Sequence, residues 1–173
     1  LFYRVGRIKH VRDHTTHETV SRPIPAAGAI HEIEFYLAVR RCSGLEKGLY
    51  HYSGREHVLY PFDADCKYLD ELFSDASVAM GQPDFQPQCI VILTSRFPRI
   101  AWKYEGIAYR LTLLNAGVII QSLYLVATDL NLACTALGNG NSMTFANATK
   151  IDPLEETSIA EFAFGSAPHS SVS

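Results

Sequence analysis

Residues 101–104 read AWKY, a lysine set between a tryptophan and a tyrosine just ahead of one of the most apolar stretches of the chain. Such a lysine has two readings. Its stem can lie along Trp102 and Tyr104 with the ammonium in water. Alternatively the ammonium can be partly desolvated, or brought near another cation, so that neutral lysine serves as a base. In the second case Tyr104 can share or relay the proton. Composition and spacing leave both open. Two loops of small residues could meet a ligand: Pro25, Ala26, Ala27 and Gly28 within RPIPAAGAI (22–30), and ALGNGN (136–141), which contains Leu137, Gly138 and Asn139. Small or absent side chains let a ligand or a packed neighbour approach the main chain, and the prolines fix its course. Neither loop is a Gly-x-Gly-x-x-Gly fingerprint after a strand, and there is no Walker phosphate loop, which disfavours a Rossmann or ATP-binding assignment. His10, His14 and His17 could share a helical face, but Asp13, Thr15 and Thr16 weaken that helix. No Cys or well-placed carboxylate completes a ligand set there, so no metal site is expected.

The elements that must position these residues are readable from periodicity. IEFYLAVRRC is a β-rich strand, and GLYHY with HVLYPF flank Ser-Gly-Arg-Glu as a hairpin. Asp65 can cap a helix that turns Leu69, Leu72, Phe73 and Ala76 inward and ends before Gly81 and Pro83. CIVILTSRF is an unbroken apolar run of strand length, suited to the centre of a sheet. A long helix follows from about Tyr109 to Leu130, and SIAEFAFGS supplies a final strand. His51 alternates with Tyr50 and Tyr52 along its strand and is expected to be a solvated side chain. LTLLNAGVIIQSLYLVA (111–127) approaches the length of a membrane span, but Asn115, Gln121 and Ser122 inside it make a helix buried within protein the better reading. It is apolar on nearly every side, which calls for more than one covering surface and makes a dimer attractive.

The order of strands and helices predicts an α+β fold built on a mixed β-sheet flanked by helices. At 173 residues, 47% hydrophobic and 19% charged, the chain suits one folded domain. A net charge of −3 gives no electrostatic case for nucleic acid or an anionic membrane. The four cysteines are widely separated without a Cys-x-x-Cys pair and read as reduced thiols, which points to a cytoplasmic protein. Residues 1–21 are polar and basic and are expected to form a solvated N-terminal arm, 22–165 the domain, and 166–173 a disordered tail. There is no initiating methionine, and a segment upstream is expected.

Taken together, RPIPAAGAIHEIEFYLAVRRCSGLEKGLYHYSGREHVLYPF and CIVILTSRFPRIAWKYEGIAYRLTLLNAGVIIQSLYLVATDLNLACTALG resemble the nitroreductase superfamily, specifically its SagB/ThcOx-type dehydrogenases. The resemblance runs from about Arg22 to Gly165. It implies FMN as cofactor, and oxidation of thiazoline or oxazoline rings in a modified peptide to thiazole or oxazole. The lysine-tyrosine pair of that family matches Lys103 and Tyr104. The resemblance further implies that Pro25, Ala26, Ala27 and Gly28 lie against FMN and that Leu137, Gly138 and Asn139 approach it from the other side. The proton would go to the Lys/Tyr pair and the hydride to flavin N5. It implies a homodimer with the long helix in its core, a peptide substrate, and a cyclodehydratase or larger synthetase as companion. The chain departs from the pattern where Ala26 replaces the usual serine, and it lacks the Arg-Arg-Ser-x-Arg segment that grips the FMN phosphate. Two alternatives fit the same residues: a flavin-free dimerisation or peptide-docking module, and an NAD(P)H-dependent nitro or quinone reductase.

Overall fold

The computed structural model describes residues 1–13, 18–138 and 140–167. A short helix α1 (Phe2–Val5) leads to a two-stranded hairpin, β1 (His10–Asp13) and β2 (Glu18–Ser21). Then come β3 (Ile33–Val39), β4 (Gly48–Ser53), β5 (Val58–Phe62), α2 (Cys66–Ala79), β6 (Cys89–Ser95), α3 (Pro98–Tyr104), α4 (Ala108–Asp129), β7 (Leu132–Leu137), α5 (Ser142–Thr149) and β8 (Thr157–Ser166). Six strands form one sheet in the order β5-β4-β3-β6-β8-β7.

The α+β class and the flanking helices are as expected. The sheet is not mixed, because every pairing within it is antiparallel. The unbroken apolar runs of β3 and β6, which imitate parallel strands, have another cause: both faces of the sheet are covered. On one side α4 and α1 pack on Phe35, Leu37, Val91, Leu93 and Phe162. On the other, Leu72 and Phe73 of α2 and Phe145 of α5 pack on Tyr36, Ala38, Ile90 and Ile92. A strand buried on both faces loses the polar alternation that marks a one-sided antiparallel sheet. Asp65 caps α2 as expected, its Oδ1 accepting from the Lys67 N–H at 2.9 Å, and Leu69, Leu72, Phe73 and Ala76 are buried.

The first 21 residues are not simply a solvated arm. Phe2, Val5 and Val20 are buried, and Phe2 stacks on Tyr52 with ring centroids 4.9 Å apart. Aromatic and aliphatic positions scattered among charges hide this contribution from a composition reading. His14 and His17 fall outside the described residues, as does the tail from 168 onward.

The long helix α4 is buried on one side only. Thr112, Asn115, Ala116, Ile119, Leu123 and Ala127 face the sheet at helical spacing, while Tyr109, Leu113, Leu114, Val118 and Leu125 are exposed.

Candidate active site

The Pro25–Gly28 loop is shaped by its backbone. Gly28, Ala29 and His31 all take left-handed conformations, at φ 57, 56 and 51°. Two of these are not glycine, and such residues cost about 1 kcal/mol or more each. Asn115 of α4 holds the loop in that shape. Its Oδ1 accepts the Ala27 N–H at 3.1 Å, and its Nδ2 donates to both carboxylate oxygens of fully buried Glu32 at 3.0 and 3.2 Å. One amide therefore ties the two ends of the loop to the long helix.

Helix α3 presents the lysine. Pro98 opens it, a residue preorganised for a first helical turn. Glu105 ends it with φ 43 and ψ −119°, a conformation costly for a residue with a Cβ. The break leaves Lys103 and Tyr104 at the helix terminus, turned onto the loop. The Lys103 Nζ lies 5.5 Å from the Tyr104 ring centroid. A Cβ built on Gly28 would collide with the Tyr104 hydroxyl and stand 3.0 Å from the Lys103 Nζ. Loop and pair, 75 positions apart in sequence, thus meet at one point, with Gly28 and Lys103 exposed.

An ion cluster anchors α3 to the sheet. Arg99 donates from Nη1 to Glu34 Oε1 at 3.0 Å, Arg96 Nη1 reaches the same oxygen at 3.5 Å, and His51 Nε2 stands 3.5 Å from Glu34 Oε2. Burial pushes the Glu34 carboxyl up, but the His51 contact and the Arg96, Arg22 and Arg99 charges outweigh it and hold Glu34 down at about 2. Arg96 also donates from Nε to Glu156 at 2.8 Å, and Thr94 donates to the other Glu156 oxygen at 2.6 Å. His51, expected to be solvated, is half-buried in this cluster. Its alternation with the tyrosines was legible, but the buried acid it faces on β3 was not.

Leu137 and Gly138 do not meet the pair within one chain. Leu137 pairs with Glu161, Glu161 with Ile92, and Ile92 with Tyr36, so three strand spacings separate β7 from β3, about 14 Å. Gly138 is open, with nothing within 4 Å of a Cβ built on it, and Asn139 lies outside the described residues. Beneath this second loop sits Glu161, 2% exposed, its Oε1 without a hydrogen-bond partner among the described residues. Burial and then the Asp75 carboxylate push it up to about 7, against a smaller opposing pull from the Asn141 backbone N–H. A glutamate within the apolar run SIAEFAFGS was the only sequence signal for it.

The residues of the first loop suit a flat aromatic group: Pro25 and Gly28 are exposed, Ala26 is small, and the lysine ammonium stands at the edge. The Ala27 N–H is already committed to Asn115 and is not among the groups on offer.

Residues 8–166 match the nitroreductase family. The chain is 28% identical over 165 residues to the trifolitoxin-processing protein TfxB of Rhizobium leguminosarum bv. trifolii, covering 94% of this chain and 44% of that protein. It is 30% identical over 123 residues to the microcin B17-processing protein McbC of Escherichia coli, covering 66% of this chain and 43% of that protein. The chain therefore spans less than half the length of either relative. The fold matches a chain of the E. coli microcin synthetase McbBCD complex with truncated pro-MccB17 bound, at a TM-score of 0.72 and 23% identity, over 87% of this chain and 57% of that one. With the match extending over nearly its whole length, the chain belongs to the nitroreductase family.

Proposed function

We propose that this chain is an FMN-dependent oxidoreductase that dehydrogenates thiazoline or oxazoline rings in a modified peptide. The observation that carries the reading is the convergence of the Lys103 Nζ and the Tyr104 hydroxyl on Gly28. The peptide-processing names of the two relatives, TfxB and McbC, support the substrate class. Aromatising an azoline removes a proton from one ring carbon and a hydride from its neighbour. FMN supplies the hydride acceptor when bound. Lys103 takes the proton, and Tyr104 holds the side chain at the loop and shares the proton load. Pro25, Ala26, Ala27 and Gly28 form one wall for the flat ring. Leu137, Gly138 and Asn139 form the other. Because three strand spacings, about 14 Å, separate β7, which leads into the second loop, from β3, which follows the first, two copies of the chain related through the exposed face of α4 would bring the two loops to a shared cofactor.

The test combines a flavin spectrum with turnover of an azoline-bearing peptide, for the wild type and Lys103→Ala. Flavin bands in both proteins, with azole formation reduced at least about 100-fold in the variant, is the expected result. Bleaching of the flavin by NAD(P)H without azoline oxidation would favour a nitro or quinone reductase instead. Colourless protein that stays colourless with added FMN would leave a docking module.

A further inference from the structure

A cavity of about 340 Å³ opens beside α3. Arg99 and Trp102, one turn apart on α3, form one wall; β2, β3 and β4, with Arg22 and His31 from the segment between β2 and β3 and Arg55 from the turn after β4, contribute to the rest. Its lining contains three guanidinium groups, Arg22, Arg55 and Arg99, against two carboxylates, Glu18 and Glu34. Both carboxylates are already paired, Glu18 with Arg55 and Glu34 with Arg99 and Arg96. Arg22 is left over. It donates one Nη1 bond to the Ile33 carbonyl at 3.3 Å and lies 5.7 Å over the Phe35 ring, while its buried Nε has no hydrogen-bond partner among the described residues. His31 beside it is buried and held down at about 4 by that burial and by the Arg22 charge, so it is neutral near pH 7 and adds no competing cation. Glu34 and Glu32 act on Arg22 by charge, but its buried Nε is left without an acceptor among the described residues, and an anionic oxygen entering the cavity would supply one.

We propose that this cavity binds a carboxylate, that of an acidic residue in the peptide on which Lys103 acts. The word peptide rests on the function proposed above; the carboxylate does not. One excess positive charge matches a monoanion, and a planar guanidinium suits the carboxylate fork. A doubly charged phosphate would be opposed by Glu18 and Glu34. Trp102 and Lys103 are consecutive residues, so an acidic side chain seated here places the adjoining peptide beside the Lys103–Tyr104 pair. The pocket would act as a docking point for substrate.

Trp102 is the single tryptophan of the chain, so its emission reports on this cavity. The purified protein is titrated with N-acetyl-aspartate N-methylamide, with the asparagine analogue, and with inorganic phosphate. A saturable change with the aspartate compound, at least tenfold weaker with the other two, is expected. Arg22→Gln should weaken the aspartate response at least tenfold, and Arg55→Gln, at a more exposed position, about threefold. No saturable response in the wild type, an equal response to asparagine, a stronger one to phosphate, or a response unchanged in both variants overturns the proposal. If Arg22→Gln does not fold, the wild-type titrations and Arg55→Gln still decide. An intact aspartate response in a protein that oxidises no azoline would count against the proposed reaction and leave the cavity standing; the reverse would count against the cavity alone.

Discussion

Lys103 is exposed and adjoins Tyr104 and a glycine whose missing side chain makes room for both. Gly28→Ala should therefore do two things. The methyl group displaces the tyrosine hydroxyl, and the left-handed backbone becomes strained by about 1 kcal/mol. Turnover is expected to fall at least tenfold while the thermal midpoint drops by only a few degrees, checked by steady-state kinetics and circular dichroism. Glu161 gives a second prediction at this scale. Its folded value of about 7 lies above the ordinary 4.5, so the native state binds the proton more tightly than the unfolded chain. Stability then falls as pH rises from 4.5 to 7, and the cost persists above that. Glu161→Gln should remove this slope and stabilise the protein at pH 8 by about 2–3 kcal/mol, measured by urea denaturation at pH 5 and pH 8. His31 has the opposite sign: held down at about 4, it lowers stability as pH falls from 6.5 toward 4. Comparing the variant with the wild type isolates the glutamate from this. The family resemblance singled out Lys103 and, separately, the Gly28 loop, whereas the contact between them became legible only through folding.

At the scale of elements, the strong periodicities were legible and the short or irregular segments were not. β3, β4, β5, α2, β6, α4 and β8 follow from alternation, apolar runs and the Asp65 cap. Helix α3 was missed because seven residues carrying a proline and an arginine give no clear amphipathic pattern. The strand Leu132–Leu137 was hidden by LACTAL, whose single β-branched residue, Thr135, gives little strand signal, and α5 by polar SMTFANAT. Asn115 bonds within the chain to the Ala27 N–H and to Glu32, partners that only the fold brings to it. Asn115→Leu leaves both unpaired in the interior. The variant should lose about 2–4 kcal/mol in chemical denaturation and should loosen the loop, read as faster amide exchange at Ala27. Unchanged exchange there would contradict the tie between α4 and the loop. Glu34 belongs to the same scale, since it fastens α3 to β3. Because it is held down at about 2, its stabilising cluster is complete above pH 4.5 and is lost as pH falls toward 2.

For the whole molecule, the exposed face of α4 is the open question of assembly. Leu114, Val118 and Leu125 form an apolar stripe that the chain itself leaves in solvent, and such a stripe marks an interaction surface. In the proposed arrangement a second copy covers it. Leu114→Glu combined with Leu125→Glu should convert a dimer to monomer in sedimentation velocity and release bound flavin at the same time. A monomeric wild type would remove this arrangement. The unequal burial of this helix was invisible to a sequence that is apolar all round, because periodicity cannot distinguish a second partner from the rest of the same chain.

The most direct test of the account is turnover of an azoline-bearing peptide by the flavin-loaded protein, compared between wild type, Lys103→Ala and Tyr104→Phe. Azole formation by the wild type, lost at least 100-fold in Lys103→Ala and reduced about tenfold in Tyr104→Phe with flavin still bound, is the expected outcome. Equal turnover in Lys103→Ala would contradict it, leaving the lysine a surface cation at the end of α3.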